Sequence, residues 1–390
     1  MVSLIEKTSL GKNYPIILCT SILLFGVYQW TTAIAGMYLC FMYRDKLAFS
    51  NLTFILLAAA ILSFVFLGYY NGNITVQMVL FYTITSFTFY YIGCYIVDKC
   101  KTQSEMLYIF TLIIIAMALP HIVVTVIDIF EVGLVNPDRI LTSISGNDNG
   151  QRSVTQRTVE ISLCIGAISF FFIKPKNKLQ DKTKRLLVIA AVICELCSLH
   201  YVSRTGIAIL CIGLIIGLLF SWGVSFKSCA ILLILFLGYT YVQNSELYQV
   251  FADRNTDYSN VSNVGLRTVR WEWGLEEIQR HPYGSTTYQN AIHSFAHNFW
   301  IDYGKISGII PFVLLIVFSL RNLYQTLAVG FKRIGLMSYF AFAFTPIFIA
   351  TLMTEPIHEG APVSMFVYIL YAGMINRLAS YSSIPEVIAR

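Results

Sequence analysis

The chain is 390 residues long, 56% hydrophobic and 12% charged, with a formal net charge of +6. A soluble domain carries about a quarter charged residues, so a water-soluble fold is excluded. Apolar runs of roughly 17 to 25 residues recur along the chain, each able to cross about 30 Å of hydrocarbon, without the apolar–polar alternation of a membrane β-barrel; the expectation is an all-α, polytopic helical membrane protein.

About twelve spans are expected from the apolar runs. Lys7 and Lys12 precede the first run, which continues past Tyr28 with no small-residue cleavage site and reads as a retained span. That run gives a hairpin, Tyr14–Val27 and Gln29–Tyr43, or else one long tilted helix. Next come Leu52–Tyr69, Thr75–Val97 and Leu107–Ile127, then a polar loop from Asp128 to Gln156. Arg157–Ile173, Arg185–Tyr201, Thr205–Ser221 and Phe226–Val242 follow. A long polar segment, Gln243 to Ala296, leads to Asn298–Leu320, Arg333–Leu352 and Pro362–Arg377. This divides the chain into membrane helices over 1–242, a large loop carrying short helices over 243–297, and membrane helices over 298–390. The nine cysteines fall in spans or on the inner side, so no disulfide framework is implied. Cys194 and Cys197 form a CxxC within an apolar run, where helix packing is the default reading.

Orientation follows from the basic residues. With the N-terminus inside, 18 of the 27 Lys and Arg fall on inner segments and 9 on outer ones, which puts both termini on the inner side. The inner set is 12 Lys and 6 Arg; the outer set is 8 Arg and Lys305 alone. Positive-inside bias does not account for that choice of arginine. A guanidinium grips phosphate bidentately through a planar fork, so an arginine-rich outer face suits a phosphorylated ligand. Pairing with outer acids such as Asp138, Asp148, Asp253 and Glu272 is the plainer alternative.

The richest stretch runs from Val264 to Gly308 and holds Arg267, Arg270, Arg280, His281, His293, His297, Trp271 and Trp273. Leu266 to Arg280 reads as an amphipathic helix stopped by Pro282, with Leu266, Val269, Trp273 and Ile278 as its apolar face. Arg267 and Arg270 are three apart and point the same way. With Trp271 alongside, they suit a diphosphate bearing a sugar; a helix lying on lipid headgroups would look alike. Arg204 opens a span between Ser203 and Thr205, where free helix N–H groups favour anions, and snorkelling to the interface is the alternative. His297 stands at a helix start beside Asn298, a place from which an imidazole can take a proton near neutral pH. His293 and His297 are four apart, but no third ligand with clean spacing accompanies them, so no metal site is expected.

Three motifs then resemble a known family: SRTG opening a span, GLR…W..GLEEI..HP.G in the outer loop, and His297-Asn298 followed nine residues later by Gly308. Together they resemble the O-antigen polymerase/ligase superfamily of bacterial envelope glycosyltransferases. The resemblance implies a GT-C-like, metal-independent, inverting enzyme of the inner membrane, with its site facing the periplasm and no cofactor. Arg204, Arg267 and Arg270 match the family positions that hold the pyrophosphate, and Arg204 and Arg267 are expected to be catalytic together with His297. The candidate site adds Arg280 as a further pyrophosphate ligand and Trp271, Asn298 and Tyr283 toward the glycan or interface. His297 matches the family histidine that activates or orients the acceptor. The implied partners are undecaprenyl-pyrophosphate-linked oligosaccharide as donor and acceptor, membrane lipid and, as an open expectation, a chain-length regulator; no nucleic acid is implied. Ala208 and Pro311 depart from the ligase pattern, and the loop is short for a ligase. A polymerase is therefore favoured over a ligase acting on lipid A core. A flippase or other transporter, and a non-catalytic scaffold, are the readings from other classes.

Overall fold

The structure is a computed structural model that describes residues 14–24, 30–42, 51–136, 150–222, 263–284, 296–332, 335–354 and 362–380. These residues are helical, with no strand among them. The helices are α1 (Tyr14–Leu23), α2 (Trp30–Met42), α3 (Leu52–Tyr70), α4 (Val76–Lys99), α5 (Gln103–Val132), α6 (Gly150–Gly166, running into a 3-10 turn, Ala167–Phe172), α7 (Lys178–His200) and α8 (Arg204–Trp222). After these come α9 (Asn263–Arg280), α10 (Phe299–Ser307), α11 (Ile309–Lys332), α12 (Leu336–Thr354) and α13 (Pro362–Ser380). Among the described residues, six helices are long and apolar enough to cross a membrane: α3, α4, α5, α11, α12 and α13. The hairpin expected over Tyr14–Tyr43 is two short helices, α1 and α2, of 10 and 13 residues. The expected span Phe226–Val242 lies outside the described residues.

The helix starts follow local chemistry. Asn51 and Thr75 accept backbone N–H groups of the first turns of α3 and α4. At α5, the Thr102 hydroxyl accepts the Glu105 N–H at 3.1 Å while the Glu105 carboxylate reaches back to the Lys101 N–H at 2.8 Å. Asn177 and Gln180 repeat this arrangement at α7. Both are reciprocal closures of orphan donors.

The bundle is organised on α4 and α13, which approach backbone to backbone. A methyl group on Gly93 would lie 2.0 Å from the Leu370 carbonyl, and one on Gly373 would lie 2.2 Å from the Tyr90 carbonyl. Small residues permit this closeness between membrane helices. At one end of the bundle, Ser338 donates to the Gly330 carbonyl at 2.7 Å, Tyr339 donates to the Ser169 carbonyl, and the Phe220 ring sits 5.7 Å from Tyr339. The ends of α6, α8 and α11 meet there, so the starts of α8 and α11 share the opposite end.

Two expected boundaries are corrected. Asn298–Leu320 is not one span: it breaks at Gly308, which takes φ 91° between α10 and α11. α5 does not stop before Asp128 but runs through Pro120 to Val132 for 30 residues, about 45 Å of helix. Asp128 is therefore a buried helix residue rather than part of a loop.

Candidate functional site

The long polar segment folds back onto the bundle as α9 packed on α10. A Cβ on Gly274 would meet Ile301 Cγ2 at 2.4 Å, and one on Gly304 would meet Ile278 Cδ1 at 2.5 Å. Ile278, Ala296 and Ile301 form the small core between them, flanked by Trp271 and Phe312. The packed face of α9 is thus Trp271, Gly274 and Ile278. This differs from the expected face, because Trp273 is 42% exposed. Arg267 and Arg270 lie on the packed side, two turns and one turn before Gly274.

Residues 296–298 make the turn into α10. The Asn298 side chain accepts the N–H groups of Trp300 and Ile301 at 3.2 and 3.3 Å, which caps the helix. Asp302, buried one turn on, accepts the N–H of Ala296 at 2.7 Å and of Asn298 at 3.2 Å. Between those two, His297 takes φ 52°. Its Nδ1 and the Nε1 of Trp271 are buried and have no hydrogen-bond partner among the described residues. Burial, then the cations Arg270 and Arg267, lower the His297 pKa to about 4. The imidazole is therefore neutral at physiological pH, near two guanidinium groups. Burial raises the Asp302 pKa to about 6, against its two backbone hydrogen bonds and Lys305.

The other end of α9 is tied down. The Asn71 amide donates to the Tyr283 carbonyl at 2.5 Å, and the Ile309 N–H donates to the Pro282 carbonyl at 2.9 Å. Gly308 and Gly284 press together here, both at positive φ. Tyr283 is exposed. Arg280 pairs with Glu276 at 3.0 Å on an exposed face and stands about 15 Å along the helix from Arg270. The structure thus gathers Arg267, Arg270, Trp271, His297 and Asn298, and leaves Arg280 and Tyr283 at the far end of α9.

Arg204 begins α8 at the end of the bundle where α11 also begins; its described part is its backbone. The preceding turn holds Val202 at φ 50°, an outlier for a β-branched residue. Tyr201 is anchored by donating to Asp128 at 2.5 Å, and buried Arg157 bonds both. His121 and Glu160 pair nearby at 2.5 Å, and Asn136 N–H donates to the His200 carbonyl at 2.8 Å. Sequence reasoning missed this polar cluster: Arg157 and Asp128 are 29 residues apart, and no local pattern links them. It likewise gave Asp302 no role, although an acid four residues after a helix-capping asparagine was a readable signal.

A groove of about 410 Å³ opens beside the site. Leu275 of α9 and Asn298 form its near wall, and it continues along α11 past Phe312, Ile316 and Leu320. Its lining is mostly apolar, with Asn298, Ser319, Asn322, Thr345 and Tyr368 contributing polar groups. His293 lies outside the described residues, among which no three His, Cys, Asp or Glu are grouped to hold a metal ion. The chain matches no protein-family model and no curated protein sequence.

Proposed function

We propose that the protein is an O-antigen polymerase: a GT-C-like, inverting glycosyltransferase that moves an undecaprenyl-pyrophosphate-linked glycan onto the next lipid-linked repeat unit at the periplasmic face of a bacterial inner membrane. The observation that carries this reading is the meeting of Arg267, Arg270 and His297 on one packed unit, with an apolar groove beginning at Asn298. The arginines suit a diphosphate, the groove suits hydrocarbon, and the open Nδ1 suits a hydroxyl.

In this reading an acceptor hydroxyl oxygen attacks the anomeric carbon, and its proton passes to His297. The bond from that carbon to the diphosphate oxygen breaks, and the diphosphate leaves with the electron pair. Arg267, Arg270 and Arg204 offset its charge. A free imidazole with a pKa of about 4 is a weak base. A diphosphate beside Arg267 and Arg270 counters the two cations that help hold it down, so basicity rises when substrate is bound.

The test uses cells that make the matching repeat unit. Arg204→Ala, Arg267→Ala and His297→Ala should each abolish long chains at unchanged protein level, and Arg267→Lys should not restore them. Loss of long chains with single-repeat capped core intact identifies a polymerase; loss of capped core as well identifies a ligase. Normal polymer in all three variants overturns the site. A second reading, a flippase or transporter, draws on the buried Asp128–Arg157 and His121–Glu160 pairs. It predicts lipid-linked repeats stranded at the inner leaflet when those pairs are broken.

A further inference from the structure

We infer that Asp302 is a positioning residue for His297; the role rests on the glycosyl-transfer reading, but the geometry that argues for it does not. Among the described residues, Val202 and His297 are the non-glycine positions with positive φ. Such a conformation persists where the surroundings over-determine it. At His297 the cause is identifiable. One Asp302 oxygen takes the N–H of the residue before the histidine, and the other takes the N–H of the residue after it. With both neighbours held, the residue between absorbs the bend. Asn298 meanwhile locks the same turn to the start of α10.

Asp302 is 2% exposed, so water cannot replace either bond. Both oxygens are engaged by backbone, so the carboxylate acts on the histidine through the chain and not through the ring. Charge-assisted bonds of this kind are about twice as strong as neutral ones. At neutral pH the carboxylate is ionised and accepts both. An amide in its place accepts through one oxygen and turns an NH2 group toward the second N–H.

The experiment compares Asp302→Asn and Asp302→Ala, each alone and combined with His297→Ala, in the full-length protein in lipid nanodiscs. Turnover and KM are measured with the lipid-linked repeat unit. Independently, diethyl pyrocarbonate labelling of His297 is followed by mass spectrometry against exposed His281. Either Asp302 variant should cut turnover by about tenfold or more at unchanged KM, and should change residual turnover by less than about twofold once His297 is alanine. Relative labelling of His297 should rise roughly threefold as the imidazole leaves its buried place. If Asp302→Ala does not fold, Asp302→Asn carries the same comparisons. Native labelling of His297 in the variants, or an equal loss of turnover with and without His297, overturns the role. An active His297→Ala protein sinks the glycosyl-transfer reading instead, and labelling still decides the geometry.

Discussion

Gly274 and Ile301 are in backbone-to-side-chain contact: a methyl group on the glycine would sit 2.4 Å from the isoleucine Cγ2. This contact sets how closely the arginine-bearing helix lies on the turn that carries His297. Gly274→Ala should push α9 away and cost about 1–3 kcal/mol by overpacking. A lower melting temperature together with reduced polymer would fit; a variant with native stability and activity would show that the contact does not set the site.

The acid stability of the protein should reflect two opposed groups. His297 titrates near 4 folded against an ordinary 6.5, so the unfolded chain binds its proton first, and stability present above 6.5 is lost as pH falls toward 4. Asp302 titrates near 6 folded against an ordinary 3.8, so its contribution is full below 3.8 and is lost as pH rises through 6. Between pH 4 and 6 the two offset one another. Melting curves in detergent should therefore show His297→Asn gaining stability on acidification relative to the native protein, and Asp302→Asn losing it.

Asp128 and Arg157 form a buried ion pair, and removing one partner strands the other. Asp128→Ala should cost about 3–5 kcal/mol. Replacing both with apolar residues of similar size should recover most of that loss. Thermal melts of the single and double variants decide the matter, and equal destabilisation of both would contradict it.

Trp271→Phe keeps a ring in the small core and removes the unpartnered Nε1–H. On the proposed reading, one neutral hydrogen bond to the ligand is lost, which raises KM for the lipid-linked substrate by roughly two- to tenfold. An unchanged KM would remove Trp271 from the ligand site.

The helical class was legible because apolar length is a strong signal, and two helix starts carry a readable cap, Thr102 three residues before Glu105 and Asn177 three before Gln180. The packed face of α9 was not, because it turns on Gly274, and a glycine adds no apolar signal to a periodicity. The break after α10 was hidden for a related reason. Apolar residues continue across Gly308, and the bend comes from a positive φ held against the Pro282–Gly284 backbone. Asp128 read as loop because a charge normally ends a span; its tolerance inside α5 depends on Arg157 from a neighbouring helix. Arg267, Arg270 and His297 were legible as candidates from residue type alone. That they come together depends on contacts between segments that no spacing rule encodes.

The tie between Pro282 and Ile309, with Asn71 clasping Tyr283, fixes where the loop helix can pivot. On the proposed reading, a swing of α9 that admits a bulky chain would turn about this riveted corner and open widest at the arginine end, so the doorway would be hinged on the side away from the reacting groups.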